Sequence, residues 1–189
     1  MDKLPATLRQ LKIVSCMNLK LFGQSSEIMN HDSISFGLGG DSSLSNMTST
    51  STLELRELGI WDCEELQSLP VKLHNLTHLE LLSLSNCSSL MYFPVGGLPN
   101  SCLKSLQISE CDNLRSLPSQ LHMVTSLQNL TVCGCLCLMS FPEGGLLPNL
   151  VSQRVIDCEN LIPLSYWDLH NLNHLRKYSF IGGCPDLGE

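Results

Sequence analysis

The chain has 189 residues, a formal charge of -7 at neutral pH and 38 leucines, roughly twice the ordinary globular share of leucine. That acidic balance, with no Lys/Arg cluster, argues against nucleic acid as a partner. No apolar run approaches the roughly 18 residues of a membrane span, and Met1-Asp2-Lys3-Leu4-Pro5 lacks the apolar core of a signal peptide, so the expected location is cytoplasmic.

From the N-terminus, the first patterned stretch is Leu8 to Cys16, which reads L-x-x-L-x-I-x-x-C. Residues 23–52 then break the pattern with nine Ser, three Thr and four Gly. Such a segment buries too little to offset its ordering entropy and reads as an insertion. The alternative is a degenerate eighth rung with Ile34-Ser35-Phe36 at its strand core, because the 47 residues from Leu8 to Leu55 divide into 23 plus 24. After the insertion the phrase returns at Leu55, Leu79, Leu103, Leu127, Leu150 and Leu175, at offsets of 24, 24, 24, 23 and 25. Its full form is L-x-x-L-x-[LIV]-x-x-C-x-x-L-x-x-[LF]-P.

A period of this length lies in the leucine-rich-repeat range of roughly 20 to 29 residues. The expected fold is α/β, a leucine-rich-repeat solenoid: a curved right-handed superhelix with parallel strands on its concave face, forming one domain over residues 1–189. Counted from the first leucine, positions 4 and 6 are apolar (Leu82 and Leu84, Leu106 and Ile108, Leu130 and Val132) and alternate with polar residues, so they share the buried face of a strand. Gln153 departs from this at position 4. Position 9 holds Cys16, Cys63, Cys87, Cys111, Cys135 and Cys158. A small side chain that packs inward and gives a weak hydrogen bond to turn backbone suits that place, so these are read as structural free thiols, with zinc ligation the alternative.

The convex connectors alternate. Helix-like pieces are expected at Val71 to His78, Ser119 to Ser126 and Tyr166 to His174, whereas Gly-Gly-Leu follows Pro94 and Pro142. His74, His122 and His170 recur every 48 residues, marking one connector slot three times and arguing against a metal role for the His74/His78 and His170/His174 pairs. Cys133, Cys135 and Cys137 point along diverging vectors and chelate poorly. No metal or cofactor is therefore expected in the chain. The N-x-[ST] tripeptides at Asn46, Asn75, Asn86 and Asn129 matter only in a secreted protein. With no G-x-x-x-x-G-K-[ST], G-x-S-x-G or H-E-x-x-H and no paired carboxylates, the chain reads as no enzyme. Neither end carries a polar capping unit, and Gly182-Gly183-Cys184-Pro185-Asp186-Leu187 stops midway through a repeat, so a piece of something longer is expected.

The run Cys63-Glu64-Glu65-Leu66-Gln67-Ser68-Leu69-Pro70, with Pro94-Val95-Gly96-Gly97-Leu98-Pro99, Leu73-His74-Asn75-Leu76-Thr77 and Pro163-Leu164-Ser165-Tyr166-Trp167-Asp168-Leu169, resembles the repeats of plant intracellular disease-resistance proteins of the coiled-coil, nucleotide-binding, leucine-rich-repeat class. Ser165 departs from the proline expected there. The resemblance implies a protein-recognition module that senses a pathogen effector or a guarded host protein and helps hold the receptor inactive. The same resemblance implies that ADP or ATP would belong to a nucleotide-binding domain upstream of these repeats, with no cofactor expected in the repeats themselves. A substrate-receptor arm of an F-box-type ubiquitin ligase and a non-functional structural remnant are the competing readings.

On either reading of function the partner surface is the concave face, built from positions 2, 3, 5, 7 and 8. In order it carries Arg56, Glu57, Trp61 and Asp62, then Glu80, Leu81 and Asn86, then Lys104, Gln107 and Glu110, then Gln128, Asn129 and Thr131, then Arg154 and Asp157, then Arg176 and Lys177. Trp61, flanked by Arg56 and Asp62, is the expected anchor, because Trp and Arg are enriched at binding hot spots. The alternative is that Trp61 covers the edge where the insertion leaves the sheet.

Overall fold

The alternation of apolar and polar residues within each repeat sets the strands. A computed structural model describes residues 5–16, 19–20, 37–38, 54–70, 72–141, 147, 149–161 and 173–182. The strands are β1 (Gln10–Val14), β2 (Leu19–Lys20), β3 (Gly37–Leu38), β4 (Glu57–Trp61), β5 (Leu81–Ser85), β6 (Ser105–Ser109), β7 (Asn129–Cys133), β8 (Ser152–Ile156) and β9 (Lys177–Ile181). Seven of them form one sheet in the order β1-β4-β5-β6-β7-β8-β9, every pair parallel and in the register of the repeat, from Gln10 opposite Glu57 to Ile156 opposite Ile181. This is a leucine-rich-repeat solenoid, one strand to a rung.

β1 and β4 are direct neighbours, so no strand stands between them in the sheet. Residues 34–36, proposed above for an eighth rung, lie outside the described residues. Within the insertion, Gly37–Leu38 pairs antiparallel with Leu19–Lys20.

The core fills one side of the sheet. Positions 4 and 6 supply Leu58, Ile60, Leu82, Leu84, Leu106, Ile108, Leu130, Val132 and Val155, all buried with the connector leucines Leu66, Leu69, Leu73 and Leu76 in one cluster. On the outermost strands the inward residues Leu11, Ile13 and Phe180 are only partly buried, because each has a rung on one side alone.

Two connectors correct the helix expected after Pro70 and Pro118. Each holds a single 3-10 turn, Leu73–Asn75 and Leu121–Met123, tied by Leu73 N–H to the Pro70 carbonyl and Leu121 N–H to the Pro118 carbonyl, both at 3.0 Å. The apolar spacing explains it. Leu73, Leu76 and Leu79, like Leu121, Val124 and Leu127, recur every three residues and all are buried; about three residues per turn keeps them on one side, and an α-helix would rotate them apart. The third such connector, Tyr166 to His174, lies largely outside the described residues.

Both ends of the strands are pinned rung to rung. At the entry, each position-2 carbonyl accepts two amides of the next rung: Arg56 from Glu80 (2.7 Å) and Leu81 (2.9 Å), Lys104 from Gln128 and Asn129 (both 2.9 Å). At the exit, each position-8 amide donates to the position-7 carbonyl of the next rung, as Asn86 does to Ser109 at 2.9 Å and Glu110 to Cys133 at 2.8 Å. Position 8 is left-handed in every rung, with φ between 51 and 77° at Ser15, Asp62, Asn86, Glu110, Gly134, Asp157 and Gly182. Asn, Asp and Gly tolerate that region best, which accounts for five of the seven residues.

The left-handed residue turns the chain so that position 9 enters the core. Cys63, Cys87, Cys111, Cys135 and Cys158 are buried, and each thiol donates to the carbonyl two residues before it, Cys63 to Trp61 at 3.3 Å and Cys158 to Ile156 at 3.4 Å. All nine described cysteines are free. Burial pushes the Cys63 thiol up, and the Cys111 thiol is raised by its hydrogen bond to the Cys87 thiol and then by burial. The Cys63 and Cys111 thiols therefore stay protonated at neutral pH and make poor nucleophiles.

Gln153 occupies the inward position 4 of β8 and is fully buried, with no hydrogen-bond partner for Oε1 or Nε2 among the described residues. The repeat carries it inward regardless of its polarity, since a one-residue slip would expose the whole strand's apolar set.

Candidate functional site

The face of the sheet turned away from the core is built from positions 3, 5 and 7, with positions 2 and 8 on its two rims. Every residue proposed for the partner surface stands there and none is buried. The entry rim carries Arg56, Glu80, Lys104, Gln128 and Arg176; the strands carry Glu57, Leu81, Gln107, Asn129, Thr131, Arg154, Lys177 and Trp61; the exit rim carries Asp62, Asn86, Glu110 and Asp157.

Parallel register stacks equal positions of successive rungs about 4.8 Å apart, so side chains of one position form a column. In the entry column Glu80 bridges two cations, Arg56 Nη1 at 2.8 Å and Lys104 Nζ at 2.7 Å. The Glu80 carboxyl is held below its ordinary range by the Lys104 hydrogen bond and charge. In the exit column Asn86 Nδ2 donates to Asp62 Oδ1 at 3.0 Å. The acids and cations at this end of the sheet therefore neutralise one another across rungs.

Trp61 lies on β4, inside the sheet, between β1 and β5. Its indole N–H donates to Ser83 Oγ on β5 at 3.2 Å, and Lys12 Nζ from β1 sits 5.1 Å from the ring centre. Gly59, two residues back on the same face, leaves the floor open: a Cβ there would stand 3.3 Å from ring atoms. The ring is thus laid along its own strand and held on both sides. Arg56 and Asp62, its expected flanks, instead bind the next rung, and the residues that place the ring are Lys12, Gly59 and Ser83. Sequence reading missed them because it followed the chain neighbours of Trp61. Register alone pairs Lys12 with Gly59 and Gly59 with Ser83, and position 5 in three adjacent rungs was the signal.

Cys133, Cys135 and Cys137 are half-buried, buried and half-buried in turn. Among the described residues no group of three or more His, Cys, Asp or Glu could hold a metal ion, and no helix is long and apolar enough to cross a membrane. His74, His78, His122 and His174 are exposed.

No protein-family model matches the sequence, and no curated protein matches it. The fold and the exposed sheet face define the class, a leucine-rich-repeat solenoid with an open strand surface.

Proposed function

We propose that this chain is the protein-recognition module of a plant innate-immune receptor in the cytoplasm, sensing a pathogen effector or a guarded host protein and contacting the receptor's own nucleotide-binding domain in the resting state. Its role is binding and not catalysis; ADP or ATP belongs to that other domain. The observation that carries the reading is the open strand face with a Trp fixed on it before any partner arrives. A rigid aromatic that is already ordered loses little entropy on binding, and such groups dominate interface energetics. The likeness of the repeats to those of disease-resistance proteins supplies the biological setting.

Complementation tests it. Deletion of the gene in the source plant should abolish the cell-death response to at least one strain in a pathogen panel. The wild-type gene should restore that response, and Trp61→Ala, at equal protein abundance and equal urea midpoint, should not. A deletion line that responds normally to the whole panel overturns the reading.

A further inference from the structure

The entry column changes character along the sheet. Arg56, Glu80 and Lys104 fill it with paired charges, but between Gln128 and Arg176 its place is taken by Val151, a short apolar side chain. A groove of about 400 Å³ opens there, with Val151 the apolar residue of its lining beside Gln128, Asn149, His174 and Arg176. The rim backbone is spent: the Val151 carbonyl accepts from the Arg176 and Lys177 amides, and the Val151 and Ser152 amides donate to the Gln128 carbonyl. Side chains supply what the groove offers a ligand.

Among the described residues no carboxylate lines it; Asn149 Nδ2 is spent on the Thr125 carbonyl and Ser126 Oγ on the Leu103 carbonyl, both at 2.8 Å, which leaves the Arg176 guanidinium and the Gln128 amide. Arg176 has no ion pair among the described residues, and neither have Arg154 on β8 and Lys177 on β9. Among the described residues the acids of these rungs lie beyond the strands, Glu110 and Asp157 at position 8 and Asp112 and Glu159 at position 10. Six residues from the entry rim is roughly 20 Å at about 3.3 Å per residue, roughly two Debye lengths at physiological salt. Among the described residues the groove therefore carries one cation, Arg176, and no acid, in a chain of net charge -7.

We propose that this groove binds an acidic segment of a protein partner, with a Glu or Asp carboxylate paired in the plane of the Arg176 guanidinium and its methylene carbon on Val151. The planar fork of one guanidinium satisfies one carboxylate through two parallel hydrogen bonds. A phosphate, carrying nearly two charges, is held by clusters of arginines, and a single guanidinium lines this groove. The site deepens the recognition reading above and rests on it for the partner's being a protein.

The probe is fluorescein-labelled hexaglutamate, with hexaglutamine and phosphoserine-containing peptides for comparison, titrated onto the full chain by anisotropy. Hexaglutamate should bind, weakening as salt rises. Arg176→Gln should weaken it by about tenfold or more and Arg176→Lys by less. Val151→Gln, which fills the groove without changing charge, should weaken it as well. Amide shifts in the unmodified chain provide a reading that needs no variant: hexaglutamate should move Gln128, Asn149 and Arg176 ahead of residues on β4. No binding, equal affinity for Val151→Gln, shifts elsewhere on the sheet, or tighter binding of the phosphoserine peptide each overturns the proposal. Because the readout is direct binding, a failed immune complementation leaves it standing, and failed hexaglutamate binding leaves the immune reading standing.

Discussion

Lys12 Nζ lies 5.1 Å from the centre of the Trp61 ring, on the neighbouring strand, and the ring rests over the bare Cα of Gly59. Gly59→Ala places a methyl 3.3 Å from the ring, tighter than ordinary contact, so the indole must shift by a few tenths of an ångström. Read in a Trp167→Phe background, Trp61 emission should change, and any stability gain, by urea midpoint, should fall short of the roughly 0.5 to 1 kcal/mol that Ala brings over Gly in an unobstructed strand. Unchanged emission would mean that the ring does not rest on Gly59.

Position 8 ranks its occupants by their tolerance of positive φ. Glu110 holds φ 52° and Gly134 φ 63°, and a side chain costs roughly 1 to 2 kcal/mol there, less for Asn. Glu110→Asn should raise the urea midpoint, and Gly134→Ala should lower stability by roughly 1 to 2 kcal/mol. Opposite signs from these two substitutions are the check.

Cys87 and Ser85 separate the two sides of one strand exit. Cys87 is fully buried and donates to the Ser85 carbonyl at 3.5 Å, whereas the Ser85 side chain faces the open side. Under reducing conditions Cys87→Ser should cost roughly 1 to 3 kcal/mol for burying a more demanding hydroxyl, with Ser85→Ala near neutral. Equal urea midpoints would remove the inward assignment of position 9.

Gln153 offers a gain. Its amide is buried with neither polar atom bonded among the described residues, so Gln153→Leu, which restores the repeat, should stabilise the chain by roughly 1 to 3 kcal/mol. A destabilised Leu variant would show that the amide has a partner.

Glu80 sets an acid limb. Its carboxyl is held below the ordinary range by Lys104 and then Arg56, so the folded state binds its proton less readily than the unfolded chain does. The stabilisation is complete above the ordinary glutamate range and is lost as pH falls through it and on to the folded-state value. Wild type and Glu80→Gln should differ at pH 7 and converge in acid, by urea midpoints at low salt. Curves that stay parallel would refute the pairing.

Much of this fold was legible because a repeat states its rule several times. The alternation at Leu82 and Leu84, and again at Leu106 and Ile108, set strand, buried face and register together, and six cysteines at one position told where the chain turns inward. The surface residues followed from the same arithmetic. The connectors were less legible: a short apolar run at Leu73, Leu76 and Leu79 suits either an α-helical or a 3-10 path, and only packing against the sheet selects the tighter one.

By itself the sequence determined which side chains face out, since strand alternation is a local property that needs no knowledge of neighbours. Tertiary structure alone decided which of those side chains meet. Lys12 and Trp61, Arg56 and Glu80, and Glu80 and Lys104 are brought together by stacking separate repeats about 4.8 Å apart. That spacing turns single outward residues into columns, and the columns set where charge is paired, where an aromatic is held and where a groove is left open.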